Sequence, residues 1–158
     1  MAENEDFREM AELFPYVMRF QELANRHGIT DIFQDNGGKM LQVYLATDMR
    51  ALPSRIGNDA VNEDDREYEV KTLNINKTKS FCTSHHLNTN TLAKLRETPW
   101  IFAVFDDITL VRVYEVQPED MAPMYQKWAQ LLEDKDHLNN PKVPFHFVKQ
   151  HGRVIWPS

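Results

Sequence analysis

Asp59, Glu69 and Lys71 are the residues of this 158-residue chain whose types and spacing could do chemistry together. The segment Glu67-Tyr68-Glu69-Val70-Lys71-Thr72-Leu73 alternates and reads as a β-strand. Successive strand side chains turn to opposite faces, so Glu69 and Lys71 share one face, about 6.7 Å apart along the backbone, and Tyr68 and Val70 take the other. A carboxylate and an ammonium on a half-buried face each need a partner, because an unpaired charge is costly to desolvate. Asp59 lies ten residues before Glu69 and can return to it through the polar loop Asn62–Arg66. Two carboxylates and a lysine at the end of a strand suffice to hold Mg²⁺ through hard oxygen ligands. The ion lowers the pKa of a bound water, and the lysine orients that water and stabilises charge developing on a phosphate. Hydrolysis of a phosphodiester is the chemistry such a set supports. The same spacing also arises as a surface ion pair on an edge strand, so the rest of the chain has to decide.

Holding these three groups in place is the task of the surrounding elements. Met10, Leu13, Phe14, Val17, Phe20 and Ala24 recur at spacings of three and four, which predicts an amphipathic helix from Asp6 to His27 that stops at Gly28. Pro15 predicts a kink there or the start of a second helix. The turn Asp35-Asn36-Gly37-Gly38 leads into a helix from Gly38 to Met49. Its apolar residues Met40, Leu41, Val43, Tyr44 and Leu45 nearly encircle it and predict burial on several sides. The run Trp100–Phe105 is a central strand covered on both faces, and Asp106-Asp107 turns it into a partner strand at Thr109–Val116. Pro118 opens a helix to Leu132, with acidic residues in its first turn where the macrodipole favours them. Phe145–Lys149 and Arg153–Trp156, around His151-Gly152, read as a closing hairpin. The pattern is α/β, one domain by length, with helices first, a mixed sheet in the middle and a further helix packed on it.

Hydrophobic residues make up 42% of the chain and charged residues 27%, as in a soluble globular protein. The longest apolar run is far too short to span a bilayer, and the acidic start Met1-Ala2-Glu3-Asn4-Glu5-Asp6 is the opposite of a signal peptide. The single cysteine, Cys82, excludes an intrachain disulfide and a cysteine zinc cage, and is expected to be a small buried residue without chemistry. A reducing cytoplasm is the expected compartment. The net charge of −6 argues against a nucleic-acid partner until its distribution is seen. Residues 70–101 carry five basic groups against one acidic, and residues 138–158 carry three basic and none acidic. Two basic islands in an acidic body fit a focused cleft for a polyanion. Lys77, Lys79, Lys94 and Arg96 suit phosphate contacts that carry no sequence information.

Gly57-Asn58-Asp59-Ala60 followed by Glu67-Tyr68-Glu69-Val70-Lys71 resembles the active-site signature of the PvuII family of type II restriction endonucleases, within the nucleases that share an Asp…(Asp/Glu)-x-Lys core. The similarity continues in order through His27-Gly28-Ile29, Asp31–Lys39, Leu41-Gln42-Val43, Pro99–Ala103 and Asn139-Asn140-Pro141-Lys142, and covers nearly the whole chain. It implies a restriction-endonuclease-like mixed sheet flanked by helices, with residues 1–50 a helical dimerisation region and 51–158 the catalytic and DNA-recognition region. It further implies a homodimer that cuts palindromic CAGCTG in double-stranded DNA to blunt ends with Mg²⁺. Asp59 and Glu69 are the implied metal ligands and Lys71 the implied catalytic lysine. His85 and His86 match adjacent histidines that read guanine, Asn140 with Asn139 beside it matches the asparagine region that reads adenine, and Asp35 matches an aspartate near the minor groove at the dimer centre. These pairings agree with the donors and acceptors that base edges offer. A palindrome calls for a two-fold protein, and the first helix, rich in Phe, Met and Leu, is the candidate dimer surface. A cognate DNA methyltransferase is expected as a genetic neighbour, not a physical partner.

The chain departs from the family pattern at Ile56, where a glutamate stands in the family, at Leu95, where a tyrosine stands, and at Cys82 and Ser84 beside the histidine pair. These changes predict a weaker second metal site and altered tuning of rate or specificity, with the two carboxylates and the lysine retained. Two other functions share the signature: a DNA-binding protein of this fold that does not cleave, and a structure-specific repair nuclease or resolvase. Intact plasmid circles in Mg²⁺ mark the first, and cleavage without base preference marks the second.

Overall fold

The computed structural model describes residues 4–52, 58–83 and 86–158. The central strand is the run the sequence marks most strongly. β5 (Trp100–Asp106) is buried from Trp100 to Phe105, because both of its faces are covered. It pairs in parallel with β3 (Glu67–Asn74) and antiparallel with β6 (Thr109–Val116), the hairpin partner expected through Asp106-Asp107. β2 (Ala60–Val61) and β1 (Arg50–Ala51) extend the sheet beyond β3, and β8 (Arg153–Trp156) closes the other edge, giving the order β1-β2-β3-β5-β6-β8. β4 (Ser80–Cys82) and β7 (Lys142–Pro144) form a separate two-stranded sheet.

Alternation along β5 divides the core into two layers. Trp100, Phe102 and Val104 face α3 (Thr89–Leu95), α4 (Ala122–Leu132) and α5 (Phe145–His151), in a layer with Phe81, Tyr125, Trp128 and Phe147. Ile101, Ala103 and Phe105 face α2 (Gly37–Thr47), together with Tyr68, Val70, Leu41 and Tyr44. On β3 the odd residues Glu69, Lys71 and Leu73 therefore lie on the first face, opposite Trp100, Phe102 and Val104 in register. The polar pair sits where that apolar layer runs out.

Three expectations need correction. The segment at Phe145 is a helix, not the first strand of a hairpin: Pro144 stands at its N-cap, Phe147 and Val148 are buried, and the Gly152 N–H donates to the Val148 carbonyl. β8 is real but pairs with β6. α1 (Glu5–Arg26) runs unbroken through Pro15, on an exposed stretch where water can satisfy the carbonyl that loses its donor. α4 begins at Ala122 and not at Pro118, with no acidic residue in its first turn, whereas α2 is covered on several sides as expected, with Leu41, Val43 and Tyr44 buried and Leu45 47% exposed.

The site's floor is pinned from below. Trp100, the register partner of Glu69, donates its indole N–H to the Tyr125 hydroxyl at 2.6 Å, and that hydroxyl donates to the Leu95 carbonyl at 2.7 Å. Burial pushes the Tyr125 phenol up to about 12. The folded value thus lies above that of the unfolded chain, so the neutral phenol's contribution is whole below about pH 10 and is lost as pH rises through about 12. Tyr125→Phe strands both the indole N–H and the Leu95 carbonyl, and should cost about 1–3 kcal/mol. In urea unfolding the midpoint should fall with an unchanged slope, and the variant should lose less stability than the parent above about pH 10. Equal midpoints would refute this account of the floor.

Candidate active site

Asp59 enters the site just ahead of β2. The β2–β3 hairpin that returns it is the polar loop expected from Asn62–Arg66: the Asn62 side chain accepts from the Asp64 and Arg66 N–H groups, and Asp65 adopts φ 59°. The ladder ends at the Ala60–Tyr68 pair, and the Glu69 N–H donates to the Pro99 carbonyl on the β5 side. The next N–H, on Val70, points the other way, and the Asp59 carboxylate accepts it at 2.9 Å. Asp59 is thereby tied to the backbone of the strand that carries Glu69 and Lys71.

Lys71 Nζ lies 2.6 Å from Glu69 Oε1 and 3.5 Å from Asp59 Oδ2. The structure brings all three groups together, with the Lys71 and Glu69 side chains mostly covered and that of Asp59 40% exposed. Two acids face one base. Burial works to lower the Lys71 pKa, yet Glu69 and Asp59 outweigh it and hold the ammonium above its ordinary value. Burial pushes the Glu69 carboxyl up, against the pull of Lys71, and the Asp59 charge adds to the push. The Tyr44 phenol, which donates to the Asp59 carbonyl at 3.4 Å, is pushed to about 12 by burial and then by the Asp59 carboxylate. Burial leads in raising Glu69 and Tyr44, and the Asp59 charge adds to both, so the half-buried site sets two carboxylates against one ammonium.

The donor set suits a hard divalent ion. Among the described residues no group of three His, Cys, Asp or Glu side chains gathers for a metal. Mg²⁺ does not need one, since it is commonly held by one or two carboxylates and completes its shell with water and phosphate. The exposed side of Asp59 opens on a cleft of about 390 Å³ lined by Asp35, Tyr44, Lys71, Thr72 and Cys82 among others. A second cavity of about 270 Å³ adjoins it and shares Asp35, Met40, Tyr44 and Asp59. Asp35 thus reaches the same opening, carried by a turn in which Asp35 and Asn36 both have positive φ. Gly37 follows because a Cβ there would meet the Asp31 carbonyl at 2.3 Å.

The recognition residues expected from the sequence gather elsewhere. An isolated antiparallel bridge joins Leu87 to Leu138, and Thr83 N donates to the Pro141 carbonyl. His86 and the turn Asn139-Asn140 therefore share one small lobe, with Asn140 at φ 52°. His85 lies outside the described residues, as do Ser84 and Ile56. His137 had no place in the sequence argument, yet its ring stacks on His86; only the pairing of two distant loops could have revealed it. Cys82 is exposed on the cleft and not buried, because its position on short β4 turns the side chain outward, whereas Phe81 fills the core. Leu95 is buried, and its carbonyl holds the Tyr125 hydroxyl.

A mixed sheet flanked by helices, with an Asp, a Glu and a Lys converging at the end of one strand, defines a restriction-endonuclease-like nuclease. Residues 5–156 match the family described as Restriction endonuclease PvuII, and the chain belongs to that family. It is a type II site-specific deoxyribonuclease that acts on double-stranded DNA, in a class that generally uses divalent metal ions.

Lys71→Met should leave Glu69 and Asp59 facing each other without their cation, costing about 1–3 kcal/mol at neutral pH. Glu69, already held up by burial, then loses the pull of Lys71 and holds its proton more tightly in the folded state than in the unfolded chain, so protonation favours the fold. The deficit should shrink as pH falls from about 8 to about 4. Thermal unfolding of both proteins across that range checks it, and a deficit that ignores pH would contradict the charge account.

Proposed function

We propose that this chain hydrolyses one phosphodiester in each strand of a palindromic duplex, CAGCTG, leaving blunt ends, as a homodimer that uses Mg²⁺. The observation that carries the reading is the Lys71 ammonium held against both the Glu69 and Asp59 carboxylates at the mouth of an open cleft. Asp59 and Glu69 would hold the ion, which when bound polarises a phosphate oxygen and lowers the pKa of a bound water. Lys71 is fixed in direction by its two carboxylate contacts. Its charge lies beside the place where the scissile phosphate enters, so it orients the attacking water and offsets negative charge that grows on phosphorus. Asn139, Asn140 and His86 would read base edges from their small lobe, joined by His85, which precedes His86 in the sequence, and Asp35 would approach from the opening next to Asp59.

The homodimer reading is supported by α1. In a helix of 22 residues only Ala24 is buried. Phe7, Met10, Leu13, Phe14, Tyr16, Met18 and Phe20 are exposed along it, and large exposed apolar surface marks an interaction site. A two-fold pair gives each half-site its own reader and each strand its own cutter. Residues 1–50 would then form most of the dimer surface and 51–158 the cutting and reading parts. No helix among the described residues is long and apolar enough to cross a membrane. We place the enzyme in the cytoplasm, beside a methyltransferase encoded nearby.

Lys71→Ala should abolish cleavage of a CAGCTG plasmid in Mg²⁺ while a gel shift still detects the specific complex. Cleavage at the parental rate would remove Lys71 from the chemistry, and intact circles with the parent protein would favour a DNA-binding protein that does not cut. Leu13→Glu places a charge on the exposed face of α1 without touching the core. It should convert a dimer to a monomer in sedimentation and reduce double-strand cutting; a parent protein that sediments as a monomer would overturn the dimer.

A further inference from the structure

Leu87 and Leu138 exchange both backbone hydrogen bonds, Leu87 N to Leu138 O at 2.9 Å and Leu138 N to Leu87 O at 2.7 Å. Both leucines are buried and belong to the layer built on Trp100 and Phe102. In antiparallel register the residues flanking them turn to the opposite, outer face: His86 stands across from Asn139, and His137 lies on the diagonal from His86. Diagonal neighbours are within reach when both carry rings. The imidazoles of His86 and His137 accordingly stack, with centroids 4.0 Å apart and planes 21° from parallel. His137 lies outside the sequence strings that resemble the family, which resume at Asn139.

We propose that His137 is a positioning residue for base recognition, acting through His86. The inference rests on the reading of His86 as a contact to guanine. A hydrogen bond to a base edge needs the imidazole plane aimed into the groove. An imidazole whose plane is not set must be ordered when DNA binds, which subtracts from affinity and blurs the choice of base. A partner stacked on the ring's face fixes the plane without itself covering the edge, where the nitrogens lie. The bridge holds both ring-bearing loops at their roots, so the stack is set before DNA arrives. Metal binding does not explain the pair. Nearly parallel rings aim their nitrogen lone pairs along separate planes, not at one point, and no third ligand gathers with them among the described residues.

The test compares the parent with His137→Ala, His137→Phe, His86→Ala and the double alanine variant. Each is assayed in Mg²⁺ on a CAGCTG duplex and on duplexes with one base pair changed at a time, with KM and kcat separated. His137→Ala should lower discrimination by between about twofold and tenfold, the range of a lost ring pair. The loss should fall at the same base pair that His86→Ala affects, and should show mainly in KM. His137→Phe, which keeps a ring to stack, should restore it. The double variant should be no worse than His86→Ala alone, because His137 acts only through that ring. Full discrimination by His137→Ala where His86→Ala has lost it would overturn the proposal and leave the reading of His86 intact. Losses that add in the double variant would do the same. Should His86→Ala itself discriminate as the parent does, the guanine contact fails and the proposal with it. Both histidines are exposed, so unchanged thermal unfolding of the variants separates these outcomes from a folding defect.

Discussion

One ammonium between two carboxylates sets the terms for everything around it. Lys71 contacts Glu69 closely and Asp59 at the edge of contact, with the Lys71 and Glu69 side chains mostly covered, so that water screens the imbalance chiefly from the Asp59 side. Attraction to the lysine alone does not hold the acids. Asp59 is fixed by the Val70 N–H, available because β2 stops where it does, and Glu69 is fixed by its register against Trp100. The backbone plan therefore brings both acids to the same strand end, with the Asp59 carboxylate tied to the Val70 N–H. A site that keeps two acids on one base, and opens the more exposed acid to a cleft, is suited to recruit a cation together with a phosphate.

That constraint explains the sheet's unusual edge. A longer β2 would pair Val70 and displace Asp59 from the strand, and full apolar cover on β3 would seal off Lys71. The sheet instead ends in two-residue strands on this side, while the opposite side of β5 carries an eight-residue partner. Apolar packing on the face shared with Glu69 comes from Trp100, Phe102, Tyr125 and Trp128. The floor beneath Glu69 is consequently rigid, and the approach to Asp59 is open.

Much of this was legible in the sequence where a pattern lasts long enough to have a period. β3, β5 and β6 fall within a residue of the segments expected from alternation and from continuous apolar character, and the ends of α1 fall within a residue of Asp6–His27. The shared face of Glu69 and Lys71 follows from alternation alone. What was hidden has a common physical origin in contacts distant along the chain. β1, β2, β4 and β7 are two or three residues long and exist because a partner from elsewhere pairs with them. The segment from Phe145 alternates locally as a strand would, but its place against β6 and β7 favours a turn of helix. Cys82 is exposed because Phe81 beside it fills the core. The exposed face of α1 shows the opposite limit. Periodicity says that a helix has an apolar face, and only the fold says that the rest of the monomer leaves it uncovered.

The charge distribution joins the parts. The basic stretches at 70–101 and 138–158 are separated by an acidic segment in sequence, but β4 belongs to the first and β7 to the second, and they pair residue for residue from Ser80–Pro144 to Cys82–Lys142. The ladder merges two weak positive regions into one lobe next to β3, which carries Glu69 and Lys71. Cys82 lines the cleft beside Lys71, while its partner Lys142 lies two residues after Asn140. The turn proposed to read bases and the groups proposed to cut the backbone are thus separated by a three-residue ladder, not a flexible loop. On those proposed roles, such a short, hydrogen-bonded span would link the seating of a base edge to the position of the phosphate relative to Lys71. A mis-seated base would then displace the phosphate from the ammonium, and specificity would enter at the chemical step as well as in binding.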